Sequence, residues 1–104
     1  MRIAVTSTGD SPQSACDSRF GRAAFFLVYD TTDDEWVVVQ NDGLNEAHGA
    51  GLVAAQKLID LGVNAVVTGR CGPKASALLS SAGISVAEGY TGSVAGAPAV
   101  VSGE

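Results

Sequence analysis

The chain has 104 residues, of which 46% are apolar and 16% charged, with a formal net charge of −5 and a pI near 4.6. Area scaling lets a chain of this length bury about 64% of its unfolded surface, which supports a single domain over residues 1–104 with one modest core. The composition excludes a disordered chain, and the acidic balance excludes a general binder of nucleic acid or anionic membrane, which needs a basic surplus. No apolar run approaches the ~18 residues of a membrane helix, and the start of the chain lacks the roughly 7–15-residue apolar stretch of a signal peptide. A cytoplasmic location is therefore expected.

Arg2 to Ser7 reads as a first strand, ended by the loop signal Thr8-Gly9-Asp10-Ser11-Pro12. A polar loop runs on to about Gly21. Ala23 to Tyr29 is apolar on both faces, as in a strand covered on both sides. Asp30 to Asp34 is a polar turn, and Glu35 to Gln40 a third strand, hairpin-paired with the second because the connection is so short. From His48 the period becomes helical. Leu52, Ala55 and Ile59, with Val53 and Leu58 alongside, predict an apolar stripe on a helix over about 49–61. Asn64 to Thr68 is a buried strand. Pro73 opens a second helix to about residue 82, with a stripe of Ala75, Leu78, Leu79 and Ala82. Gly62 and Gly83 are placed to end the two helices in the left-handed conformation. Ile84 to Ala87 is a fifth strand. Gly92, Gly96 and Pro98 break the tail, so a short helical turn and then a frayed end are expected there. The order is β-β-β-α-β-α-β, an α/β fold on one five-stranded mixed sheet with strand two antiparallel to its neighbours.

Following strand directions, loops 8–21, 41–49 and 69–73 open at one edge of the sheet. In open α/β sheets ligands bind there, outside the carboxyl ends of the strands. These loops and their borders carry Cys16, Arg19, Arg22, His48, Arg70, Cys71 and Lys74, so four of the six Lys and Arg residues fall at one end of an acidic chain. Two helix N-termini, at His48-Gly49 and Cys71-Gly72-Pro73, aim free N–H groups the same way. The expected ligand is an anion, and the thiols and imidazole point to one that contains metal. Arg19, Arg22, Arg70 and Lys74 are expected around one shallow concavity with His48. Each residue also has a plainer reading: His48 as a cap or surface residue, Arg19 and Arg22 as partners of Asp17 and Asp10, and the thiols as small hydrophobes. Cys71, at a helix N-terminus, is expected to be the more acidic and reactive thiol, and Cys16, beside Asp17, the less so.

Competing chemistries fare differently. A two-metal nuclease needs carboxylates grouped on strands, and Arg2 to Ser7 has none. No Walker or dinucleotide glycine pattern supports a nucleotide site, which leaves a small anion or phosphate binder using helix N-termini and arginines. A thiol redox switch would need the α-carbons of Cys16 and Cys71 within about 7 Å.

In order and spacing, Met1-Arg2-Ile3-Ala4-Val5, Arg19-Phe20-Gly21-Arg22-Ala23, Glu46-Ala47-His48-Gly49-Ala50-Gly51, Gly72-Pro73-Lys74-Ala75 and Ala82-Gly83-Ile84 resemble the nitrogenase iron–molybdenum cofactor-binding domain family. That family includes NifX-like carriers, the C-terminal domain of NifB and the orange protein of sulfate-reducing bacteria. The resemblance covers roughly residues 1–90. It implies a ribonuclease-H-like fold and a non-catalytic protein that binds or carries a metal–sulfur cluster, handed between partner proteins of cluster assembly. The cluster is an iron–sulfur or iron–molybdenum precursor in NifX-like members and a molybdenum–copper sulfide in the orange protein. The matching segments assign cluster contact to Phe20, Gly21 and Arg22 and to His48 and Gly49, and Gly72 and Lys74 are added from the start of the second helix. Cys16, Arg19, Arg70 and Cys71 join them from the loop argument, with Cys16, His48 and Cys71 as candidate metal ligands. Many members have a His where this chain has Arg19, which trades a metal bond for a charge contact. Many have Asn or a small apolar residue where it has Cys71, and many end in a Glu- and Ala-rich helix.

Overall fold

The computed structural model describes residues 1–46 and 48–102. Its strands are β1 (Arg2–Ser7), β2 (Phe25–Asp30), β3 (Glu35–Gln40), β4 (Ala65–Val67) and β5 (Ser85–Ala87), and its helices α1 (Ala50–Asp60), α2 (Pro73–Ser81) and α3 (Pro98–Ser102). Two 3₁₀ turns, Asp42–Asn45 and Val94–Gly96, precede α1 and α3. The strands form one mixed sheet in the order β3-β2-β1-β4-β5. As expected, β2 runs antiparallel to β1 and β3, while β1, β4 and β5 are parallel.

Period-two alternation in β1 and β4 gives the sheet two buried faces. Ala4 and Val66, with Phe26 and Val28 of β2, meet Ala54, Ala55 and Leu58 of α1 and Ala75 and Leu79 of α2. Ile3, Val5, Leu27, Ala65 and Val67 point the other way. Each of the large side chains buried here, Phe26, Leu58 and Leu79 among them, contributes about 1.5–3 kcal/mol. Gly62 and Gly83 end α1 and α2 at φ of 71° and 80°, as their placement predicts.

Four expectations need correction. The second strand starts at Phe25, two residues late, because the Asn41 side-chain amide occupies the carbonyls of Gly21 and Ala23 at 3.1 and 2.8 Å. The α1 stripe is turned away from Leu52, which is 39% exposed, toward Ala50, Ala54, Ala55 and Leu58. α1 packs on α2 as well as on the sheet, and small alanines permit that close approach. Ala82 is exposed because α2 has already ended at Ser81. The tail is not frayed as far as residue 102. Val94 and Ala97 are fully buried over the second face of the sheet, and the Val94 N–H donates to Ser14 O at 2.9 Å. Residues 103–104 lie outside the described residues.

The rotated stripe is testable by paired substitutions. Leu79→Ala is expected to cost about 2–5 kcal/mol in urea unfolding, and Leu52→Ala less than about 0.5 kcal/mol. Equal losses would restore Leu52 to the core.

Candidate functional site

The loop after β1 is tied down at the carboxyl edge of the sheet. The Asp17 N–H donates to Thr6 O at 2.9 Å, and Thr6 Oγ1 donates to Asp17 O at 2.8 Å while lying 3.0 Å from Thr68 Oγ1. The next contact joins this loop to the one after β4. The Phe20 N–H donates to Arg70 O at 3.0 Å, and Arg19 and Arg70 stand side by side as a parallel bridge. Gly69 makes this approach feasible, since a Cβ there would lie 2.7 Å from Ser18 Cα. The segment before α3 closes the third side. The Cys16 N–H donates to Gly92 O at 2.8 Å, the Gly89 N–H to Gly69 O at 2.8 Å, and the Tyr90 hydroxyl to Ser93 O at 2.7 Å.

Between these three segments is an open hollow of about 630 Å³, lined by Cys16, Arg19, Arg70 and Tyr90 among others. Both arginines are exposed. Asp17 tempers the charge: its Oδ1 accepts the Arg19 backbone N–H at 2.9 Å and lies 3.7 Å from Arg19 Nε. Cys16 is half-buried, with its Sγ 3.6 Å from Thr6 Oγ1. Sequence reasoning did not include Tyr90 or Gly92. The signal was faint, a Gly-rich tail whose contact with loop 8–21 depends on tertiary pairing.

The other predicted residues are divided elsewhere. Gly21, Gly49, Gly72 and Lys74 line a second, smaller hollow of about 410 Å³, where α1 and α2 both begin without a side-chain cap. Phe20 borders it, but is 2% exposed and packs on Phe26 with ring centroids 5.4 Å apart, so it is first a core residue. Arg22 does not join the other cations. Its Nη1 donates to Leu44 O at 3.0 Å and Glu46 O at 2.8 Å, bracing the segment before α1 rather than pairing with Asp10. His48 is exposed and lines neither hollow, and its neighbour Ala47 lies outside the described residues. The single concavity expected for all four cations and His48 is thus two, because the 8–21 loop folds against both β4 and α1.

The thiols require a further correction. Cys71 is buried in the core under α1 and α2, whereas Cys16 packs against the core on the other face, and both are free. They therefore build neither a redox pair nor, with His48, a shared metal site. Burial, reinforced by the Glu88 carboxylate, pushes the Cys71 thiol up to about 11, so desolvation overrides the helix dipole. Burial also raises Cys16; its bond to Thr6 opposes this and the Asp17 charge adds to it. Among the described residues no three His, Cys, Asp or Glu side chains are grouped to hold a bare metal ion.

Exposure rather than acidity now ranks the thiols. An aromatic disulfide reagent at about pH 8 is expected to titrate Cys16 in the folded chain and Cys71 only after denaturation. Reaction of a folded Cys16→Ser variant would contradict this. The Cys71 shift also has a sign in stability. The folded thiol holds its proton more tightly than the unfolded one, so the contribution is whole below pH 9 and lost as pH rises from 9.0 to about 11. Urea midpoints of the wild type, relative to Cys71→Ala, are expected to fall over that window; a rise would reverse the assignment.

A family model described as dinitrogenase iron-molybdenum cofactor matches residues 1–101. Of solved structures, the apo form of the orange protein from Desulfovibrio gigas superposes with a TM-score of 0.92 at 40% identity, covering 98% of this chain and 88% of that one. A NifB-type Thermotoga protein of the DUF35 family gives 0.84 at 33% identity, covering 98% and 87%. An uncharacterised protein of Methanocaldococcus jannaschii is 31% identical over 78 residues, which are 72% of this chain and 66%, just under two thirds, of that relative. The chain therefore belongs to the dinitrogenase iron-molybdenum cofactor family.

Proposed function

We propose that this chain binds and carries a preassembled anionic metal–sulfur cluster, without turning over a substrate, in the hollow beside Arg19 and Arg70. The observation that carries this reading is the backbone pairing that holds two exposed guanidinium groups together, next to a half-buried thiol, in a chain of net charge −5. A bare metal ion would need a cage of ligands. A cluster whose own sulfides complete its metal shells needs mainly charge compensation and hydrogen-bond donors, which guanidinium groups supply. Cys16 adds one soft atom of the kind that suits copper(I) or iron–sulfur centres. Kinship with the orange protein and with a NifB-type protein supports a cargo of molybdenum–copper sulfide or an iron–molybdenum precursor, received from and passed to proteins of cluster assembly. The scaffold is read as ribonuclease-H-like, supported by the order β3-β2-β1-β4-β5 with β2 reversed. A nuclease is disfavoured because β1 carries no carboxylate.

A second reading is a small oxyanion such as phosphate at the other hollow. It is favoured by the two uncapped helix starts beside Lys74. The two readings separate by substitution, since Lys74→Ala would weaken a ligand at the helix starts and spare one at the arginine pair, and Arg19→Ala with Arg70→Ala would do the reverse.

The test is anaerobic titration with tetrathiomolybdate and copper(I), followed by visible spectrum and elemental analysis. Arg19→Ala with Arg70→Ala is expected to weaken uptake at least about tenfold, or about 1.4 kcal/mol. Salt at about 1 M, where the Debye length is about 3 Å, is expected to weaken the wild type similarly. Unchanged affinity in both experiments would remove the reading. Cys16→Ser asks separately whether the thiol touches the cluster, through a shift in the spectrum.

A further inference from the structure

β3 ends the sheet, and the helices do not fully cover it. Val39 packs against the helix-side core, but Val37, two residues nearer the hairpin turn, is 58% exposed. Val28, Val37 and Val39 floor a groove of about 320 Å³, walled by Leu61 just past α1 and ended by Asp30, Asp33 and Glu35. Asp30 pairs with Arg2 at the amino end of β1, so this acidic end is across the sheet from the arginine hollow. The nearby positive charges are taken up at Asp30. Arg2 Nη1 donates to Leu61 O at 2.9 Å and its Nε lies 3.6 Å from Asp30 Oδ2, and the N-terminal amine acts on Asp30 too. Among the described residues neither Asp33 nor Glu35 has an ion-pair partner. At the far end of β3, Asp42 is paired with Lys57 at 2.9 Å, so the uncompensated charge is at the turn.

The backbone of β3 is open along the same stretch. Its register with β2 runs without a skip from Phe25↔Gln40 to Asp30↔Glu35, and the Asn41 N–H donates to Ala24 O at 3.3 Å, one pair further on. In an antiparallel ladder only alternate opposed pairs exchange bonds. The set bonded to β2 is therefore 35, 37, 39 and 41, and the N–H and C=O groups of Trp36, Val38 and Gln40 point outward. Glu35–Gln40 contains no Pro and no bulge against β2 to blunt that edge.

We propose that this edge receives an extended segment of another protein, antiparallel to β3, with a Lys or Arg opposite Glu35 and apolar residues opposite Val37 and Val39. Charge selects that occupant. A second copy has no Lys or Arg in Glu35–Gln40 to offer, and would bring its own Asp42 toward Asp33, Asp34 and Glu35. A basic side chain at the same place meets the two carboxylates that have no ion pair. Trp36, Val38 and Gln40 supply the main-chain bonds, which give affinity in strand addition, while alternate side chains give specificity. Residues 35, 37 and 39 make no outward bonds. Their pairs with the added strand are of the close kind, with Cα atoms about 4.5 Å apart, where side chains touch best. This docking surface is remote from the arginine hollow and does not rest on the carrier reading.

The probe is a blocked peptide of two lysines followed by alternating threonine and valine, about seven residues in all, an ordinary strand length. It is titrated into the full chain to about 1 mM. Binding is read from the fluorescence of Trp36, the one tryptophan of the chain, which sits on β3. A saturable change is expected. Exchanging the two lysines for glutamates, or Glu35→Lys in the chain, is expected to weaken binding at least about tenfold by setting like charges together. The Glu35→Lys chain is expected to take the glutamate peptide better than the wild type does. Val38→Pro removes an outward N–H without touching the β2 ladder, and is expected to weaken the lysine peptide similarly. Arg19→Ala with Arg70→Ala is expected to bind that peptide as the wild type does, and urea midpoints check that each variant is folded. No saturable change in the wild type, equal affinity for the two peptides, or undiminished binding by a folded Val38→Pro chain would each overturn the proposal. So would loss of binding in the double arginine variant, or a wild-type dimer in sedimentation that Val38→Pro abolishes, which would give the edge to a second copy.

Discussion

Thr6, fully buried at the carboxyl end of the central strand, is the point on which the site geometry hangs. Its hydroxyl bonds Asp17 O and lies against Thr68 Oγ1, and its carbonyl accepts the Asp17 N–H. One residue thereby joins β1, the loop that follows it and the end of β4. Leaving a buried polar group unpaired costs about 1–3 kcal/mol, and a loop peeled away from Thr6 would strand more than one. The loop is held down by backbone and hydroxyl groups, so its exposed side chains are free of structural duty. The pairing of Phe20 with Arg70, and with it the adjacency of the two arginines, is the next consequence along the chain.

The same anchoring explains why the positive charges separate. Arg22 is spent on the carbonyls of Leu44 and Glu46, where it stabilises the approach to α1. Lys74 opens α2 on the helix-covered side, while Arg19 and Arg70 face the C-terminal segment. Asp17 has two roles, orienting the Arg19 backbone and lowering the local field. The hollow is thus mildly rather than strongly cationic. Under the proposed carrier role this would suit release as well as binding, since weaker binding permits faster exit.

The second sheet face depends on a tail whose composition argues against order. Gly92, Gly96 and Pro98 forbid a long helix, yet small residues at Val94 and Ala97 fit tightly over Ile3, Val5 and Val67. Without that cover, strands apolar on both faces would expose one of them. The segment leading into the cover also supplies Gly89, Tyr90 and Gly92 to the wall of the hollow, so the hollow is complete only with the tail in place.

By itself the sequence determined what local physics controls. β-rich runs bounded by turn signals placed β1 and β3, the glycines after each helix set the helix ends, and the short polar turn enforced the β2–β3 hairpin. The sense of each strand then assigned the three loops to one edge, which is why Cys16, Arg19 and Arg70 were legible as neighbours. Only the tertiary structure decided what depends on packing between elements distant in the chain. Leu52 lies outward because α1 must also fit α2, a partner that no helical period reveals. Cys71 is poorly acidic because burial outweighs the helix dipole, and its burial follows from how α1 and α2 close over β4. The tail orders because a complementary face awaits it. Periodicity and turn chemistry are properties of adjacent residues, whereas rotation about a helix axis, desolvation and cover are set by the surfaces that meet.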